Sequence, residues 1–133
     1  MPPVNPYQQN QYQQYQRSRI LTASPAELTL MLYDGAIKFC NIAQIGLEKG
    51  DDLKFTTNLV KVENIIDYLN STLDMKYPVA KDFENVYNLM LGLCVDADLH
   101  REYAVENMAK VNKYLHTMRD TWVQAMALSK ASA

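Results

Sequence analysis

Two histidines, His100 and His116, and two cysteines, Cys40 and Cys94, are the side chains of this sequence with the widest chemical repertoire. Helical carboxylate sites for paired metal ions take Glu-x-x-His from two helices. Ala97 stands three residues before His100 and Lys113 three before His116, so that motif is missing at both. Asp96, Asp98 and His100 lie close along the chain, but a helix sends residues i and i+2 to different faces. Neither His nor Cys occurs in a zinc spacing, and the four glycines are scattered and build no phosphate-binding loop. No nucleophile is set beside a base in a way that spacing alone can argue. The reading is of a protein that is not an enzyme, with no catalytic residue, metal site or cofactor. Cys40 and Cys94 fall on apolar helix faces and read as small core hydrophobes of a reduced compartment, not as a disulfide framework.

The elements around these residues are helices. With 133 residues the chain fits one domain, able to bury about two-thirds of its unfolded surface. No run of about 18 apolar residues is present, so no membrane insertion is expected. The N-terminus lacks the charged and apolar regions of a signal peptide. A net charge of −2, with no cluster of Lys and Arg among aromatics, gives no case for nucleic acid. The charge is uneven: Arg17 and Arg19 precede the first acid, Glu27, while residues 82–98 are acidic.

The strongest local signal runs from Thr22 to Ile37. Ser24 and Glu27 form a capping box, and Pro25 occupies the first helical position, where its missing N–H costs nothing. Leu28, Met31, Leu32, Gly35, Ala36, Phe39, Ala43 and Leu47 share one helical face, and Leu30, Tyr33, Ile37 and Cys40 form a second apolar strip. One stripe suffices for a surface helix, so the second strip implies burial on two sides or a partner-binding face. Gly35 suggests another backbone passing close by, since it costs about 1 kcal/mol against Ala in a helix. Asp34 reads as a solvated edge.

Gly50 ends this helix, and Asp51 or Asp52 caps a second that runs to about Asp74. Pro78 interrupts the chain, a third helix begins near Asp82, and a break near residues 99–101 precedes a fourth. Short loops between long amphipathic helices make antiparallel neighbours, so the fold class is all-α, an up-down four-helix bundle with a short N-terminal leader. The domain reading is a leader over 1–21, a bundle over 22–128 and a disordered tail over 129–133. The leader is rich in Gln and Tyr, and both a disordered tail and a docked short helix remain open for it.

Thr22 to Ile37 closely resembles the pattern T-A-S-P-x-E-L-x-x-M-L-Y-D-G-A-I of the flagellar secretion chaperone family, FliS. Weaker resemblances follow in order at Ile65-Ile66, Leu69 and Leu73-Asp74, at Val86-Tyr87, and at Met118-Arg119 with Trp122. The Asn-Pro-Tyr start also fits. Ala26 stands where the family often has an acid, and Leu89 where a second Tyr often follows Tyr87. The resemblance implies a cytoplasmic, non-enzymatic chaperone. It would bind the disordered C-terminal segment of flagellin, block premature polymerisation, and deliver its client to the flagellar type III export gate, which it would meet when loaded. A helical adaptor for another partner is the alternative from a different class. Phosphotransfer on an exposed His116, flanked by Lys113 and Arg119, is a third, weakened because no Lys-Gly follows the histidine. Monomer and weak homodimer are both left open.

The apolar positions off the main stripes are the candidates to line the client groove, with bundle core the alternative for each: Leu30, Tyr33 and Ile37 on the first helix, Ile65 and Tyr68 on the second, Leu89, Leu91 and Val95 on the third. Tyr7, Tyr12, Tyr15, Ile20 and Leu21 of the leader are expected to cap part of that groove when no client is bound.

Overall fold

A computed structural model describes Gln11, Gln13, Gln14, Arg17 and residues 23–132; these leader residues are helical and exposed. Four long helices follow: α1 (Pro25–Lys49), α2 (Asp52–Ser71), α3 (Pro78–Leu99) and α4 (Ala104–Ser132). A single 3-10 turn, Arg101–Tyr103, joins α3 to α4. Every described element is helical.

The boundaries follow from local chemistry. Ser24 Oγ accepts from the Glu27 N–H at 3.2 Å, and Pro25 opens α1. Gly50 ends the helix at φ 68°, the left-handed conformation that a Cβ disfavours. Asp51 caps α2 by accepting from the Lys54 N–H at 3.0 Å. Two expected boundaries move. α2 stops at Ser71, and Leu73 and Asp74 belong to the loop; α3 begins at Pro78, not near Asp82. The proline that reads as an interruption is a helix starter, since its fixed φ suits the first turn and no N–H is needed there. α4 continues to Ser132, through residues assigned above to a disordered tail, as Ala- and Lys-containing sequence readily extends a helix.

Side-chain ties give the order of packing. α4 runs antiparallel to α1: Trp122 reaches Ala26, Arg119 pairs with Asp34, and Asn112 donates to Asn41 at 2.6 Å and Gln44 at 2.9 Å. α3 runs antiparallel to α2, with Arg101 on Asp52 at 3.1 Å and Asn70 on Asn88 at 3.1 Å. The helices form a closed ring α2–α1–α4–α3, in which the α2–α3 seam is the least extensive.

The core corrects the reading of α1. Its buried residues are Gly46 and, drawn from both strips, Tyr33, Ala36, Ile37, Cys40 and Ala43, so the second strip is core as well except at the half-buried Leu30. Leu28, Met31, Leu32, Phe39 and Leu47 are half-buried along the flank. Spacing alone ranks the two strips equally; packing on both α2 and α4 decides between them. The close backbone approach is also elsewhere. A Cβ on Gly35 would meet only Ile65 Cδ1 at 3.6 Å, whereas one on Gly46 would lie 2.8 Å from the Phe55 backbone nitrogen. Gly46 lets the start of α2 fold against α1. Phe55, Leu59, Val62 and Ile66 of α2, Met90, Cys94 and Ala97 of α3, and Met108, Val111 and Leu115 of α4 complete the core.

Candidate functional site

One end of the bundle gathers the beginnings of α1 and α3 and the endings of α2 and α4. Between them opens a cleft of ≈ 390 Å³, lined by residues of all four helices and of the α2–α3 loop. The loop is short and self-braced: Asp74 Oδ1 accepts from the Lys76 N–H at 3.0 Å, and the Tyr77 N–H donates to Asp74 O at 3.2 Å. α4 closes the far wall because the Trp122 indole N–H donates to the Ala26 carbonyl at 2.9 Å. That carbonyl lies in the first turn of α1, so the bond fixes the ring and the helix start together.

Leu69, Leu73, Val79, Ala80 and Phe83 make the walls apolar. The inner surface carries Tyr33 of α1 and Tyr87 of α3, each only 2 % exposed. Their hydroxyls are 2.5 Å apart and bonded to each other. Burial pushes both phenols above the ordinary tyrosine range; for Tyr87 the bond to Tyr33 adds to the rise, while for Tyr33 the bond opposes it. Both are therefore neutral hydroxyls. Among the described lining residues Asp74 is the only carboxylate, and none is a lysine, arginine or histidine. Such a cleft receives apolar groups and offers them very few polar partners.

The expected groove residues do not form one surface. Tyr33 and Ile37 are core, at 2 % and 9 % exposure. Leu30 is half-buried on α1, and Ile65 is half-buried near Gly35 of α1, with the exposed Tyr68 one turn along α2. Leu91 and Val95 share one side of α3, and Leu89 is exposed on another. Leu91, Val95 and Leu99 recur every fourth residue, the last two at 46 % and 69 % exposure, which makes an apolar column along the helix. The leader positions Tyr7, Tyr12, Tyr15, Ile20 and Leu21 lie outside the described residues.

Trp122, Thr29, Leu69 and Tyr87 of the cleft were missing from the expected site. Tyr87 and Trp122 stand in motifs quoted for the family resemblance, yet nothing local ties them to Tyr33 or Ala26, 54 and 96 residues away.

The chemistry-bearing residues are dispersed. His116 is exposed on α4, and Arg119, one turn on, is engaged by Asp34 of α1. His100 caps α3 and packs edge-on to Tyr103 at a centroid distance of 6.1 Å. Burial pushes the Cys40 thiol up to about 11 and Cys94 higher still, so both are inert in the folded chain. Among the described residues no group of His, Cys, Asp and Glu is arranged to hold a metal, and no helix is long and apolar enough to cross a membrane.

Comparison with known proteins gives a consistent picture. A family model described as Flagellar protein FliS matches residues 8–129. The flagellar secretion chaperone FliS of Bacillus subtilis (strain 168) is 36% identical over 118 residues, spanning 89% of this chain and 87% of that protein. The flagellar secretion chaperone FliS of Salmonella typhimurium (strain LT2) is 30% identical over 110 residues, 80% of each.

Proposed function

The chain belongs to the FliS family of flagellar secretion chaperones, and from that premise we propose that it binds the C-terminal segment of flagellin in the cytoplasm. Bound there, it keeps the subunit from polymerising early and presents it to the flagellar type III export gate. The observation that carries this reading is apolar surface left over after a complete core has formed. The core is closed around residues from all four helices. Even so, the cleft stays open at one end, and the column from the half-buried Leu91 through Val95 and Leu99 emerges into exposure along α3.

Amphipathic helices dock into such surfaces by their own apolar stripes. A disordered client folds as it docks, at a cost of about 2–5 kcal/mol, and a long wrapped segment repays that cost through area. No nucleotide or metal is required. Of the eight groove positions, Val95, Leu89, Tyr68 and the half-buried Leu91, Leu30 and Ile65 remain as client contacts in this reading, while Tyr33 acts from the inner surface of the cleft. α1 begins beside the cleft, with Thr29 of its first turns on the lining. The capping role of Tyr7, Tyr12, Tyr15, Ile20 and Leu21 is part of the same reading. Deleting residues 2–16 is expected to raise the binding of an apolar dye and change client affinity; no change in either removes the cap.

The test of the function is flagellin polymerisation followed by light scattering. An equimolar amount of the chain is expected to hold seeded flagellin monomers in solution, as a one-to-one complex on gel filtration. Unhindered filament growth, with no complex, defeats the reading.

A further inference from the structure

The inner surface of the cleft holds one buried polar valence that the described residues leave unfilled. Tyr33 and Tyr87 are both neutral and hold two hydroxyl protons between them. A single hydrogen bond links the two oxygens, and it consumes one proton. Among the described residues no other acceptor lies on either hydroxyl. Of the other side-chain donors on the lining, Thr29 Oγ1 donates to Pro25 O at 3.1 Å, Thr72 Oγ1 to Leu69 O at 2.9 Å and Trp122 Nε1 to Ala26 O, while Tyr77 is 64 % exposed and carries no buried donor. Both tyrosines share the lining of the open cleft with Leu69, Ala80 and Phe83, so the spare proton belongs to a buried ring that borders the cavity.

We propose that this spare phenolic proton is the polar anchor of the cleft, donating to a backbone carbonyl of the client segment whose apolar side chain fills the space. The proposal rests on the client reading above and adds its chemical selectivity. A buried donor without a partner is costly, so the cleft favours an occupant that brings an acceptor over a hydrocarbon of the same shape. A peptide residue offers both parts at once, a branched or aromatic side chain and a carbonyl beside it. Because Tyr33 comes from α1 and Tyr87 from α3, the anchored carbonyl also bridges two helices that are diagonal in the ring.

The variant Tyr33→Phe with Tyr87→Phe removes both partners together and keeps both rings. Replacing a hydrogen-bonded pair by apolar groups of equal shape is nearly neutral for folding, so the melting temperature is expected to hold. Affinity for a flagellin C-terminal peptide is expected to fall about three- to tenfold, the worth of one neutral hydrogen bond. A second measurement needs no substitution. With the full chain isotopically labelled at tyrosine Cζ, N-acetyl-leucine methylamide is titrated as the probe, and the Tyr33 and Tyr87 signals are expected to shift together and saturate. If the peptide binds wild type and the double variant equally, the anchor is overturned and the client reading stands. If the peptide does not bind wild type but the probe shifts both signals, the client reading falls and the anchor chemistry stands. Silence in both overturns both.

Discussion

Adding one methyl group at Gly46 probes how α1 and α2 are joined. The new Cβ would sit 2.8 Å from the Phe55 backbone nitrogen, 3.0 Å from the Asp51 carbonyl oxygen and 3.2 Å from the Phe55 Cα. All three are main-chain atoms of the turn and first turn of α2, so no flexible side chain can swing away. Two effects oppose each other. Ala is better than Gly in a helix interior by about 1 kcal/mol. Overpacking usually costs about 1–3 kcal/mol and reaches the upper end when backbone must shift. The net expectation for Gly46→Ala is a loss of about 2 kcal/mol, or a melting point about 8 °C lower for a domain of this size. Gly92 and Gly35 are internal controls. A Cβ on Gly92 meets nothing within 4 Å, and one on Gly35 meets Ile65 at an ordinary 3.6 Å. Both Ala variants are expected to gain up to about 1 kcal/mol. Urea unfolding followed by circular dichroism reads all three. A Gly46→Ala chain as stable as Gly92→Ala would refute the close-approach argument.

The other expectations are more local. Ser24→Ala removes the α1 cap and should cost about 1 kcal/mol in the same urea assay. Trp122→Phe leaves the Ala26 carbonyl without its indole donor and should cost a similar amount, about 1 kcal/mol, with loosened protection of the first α1 amides in hydrogen exchange. Glu63 is held above the usual carboxyl range, first by burial and then by Asp98 and Asp67. Its ionised form therefore weakens the fold: the penalty is absent below the unfolded carboxyl range, grows as pH rises towards the raised value, and stays constant above it. Glu63→Gln should accordingly raise the melting temperature at neutral pH and lose that advantage at acid pH; a gain that persists at acid pH would contradict the sign. Cys40 and Cys94 should resist a thiol reagent in native buffer and react together on unfolding.

Features set by neighbours within one turn were readable from sequence. The Ser24 cap, the Gly50 stop and the Asp51 cap each depend on a residue type and its immediate spacing, and all three are present. The four helices and their alternating directions followed from periodicity and short loops. What escaped is what depends on neighbours far along the chain. Tyr33 and Ile37 lie on a strip that periodicity cannot rank as inner or outer, since the choice is made by α2 and α4 packing on either side. The need for glycine at position 46 arises from backbone atoms of residues 51 and 55 folding back over it. The cleft depends on four helix ends meeting at one pole of the bundle, and the Tyr33–Tyr87 bond on its inner surface joins one helix to another. Leu89 and Val95 were legible as outward apolar positions because α3 buries a narrow stripe of Ala80, Tyr87, Met90, Cys94 and Ala97 and leaves them off it.

The claim that a disordered flagellin segment folds onto this apolar surface is tested most directly by calorimetric titration at several temperatures. The titrant is a peptide of about fifty residues from the C-terminus of the flagellin of the same organism, long enough for several docked helices. Tight one-to-one binding with a large negative heat-capacity change is the predicted result, the mark of apolar burial coupled to folding. No heat at any temperature, with the peptide or with monomeric flagellin, would contradict it.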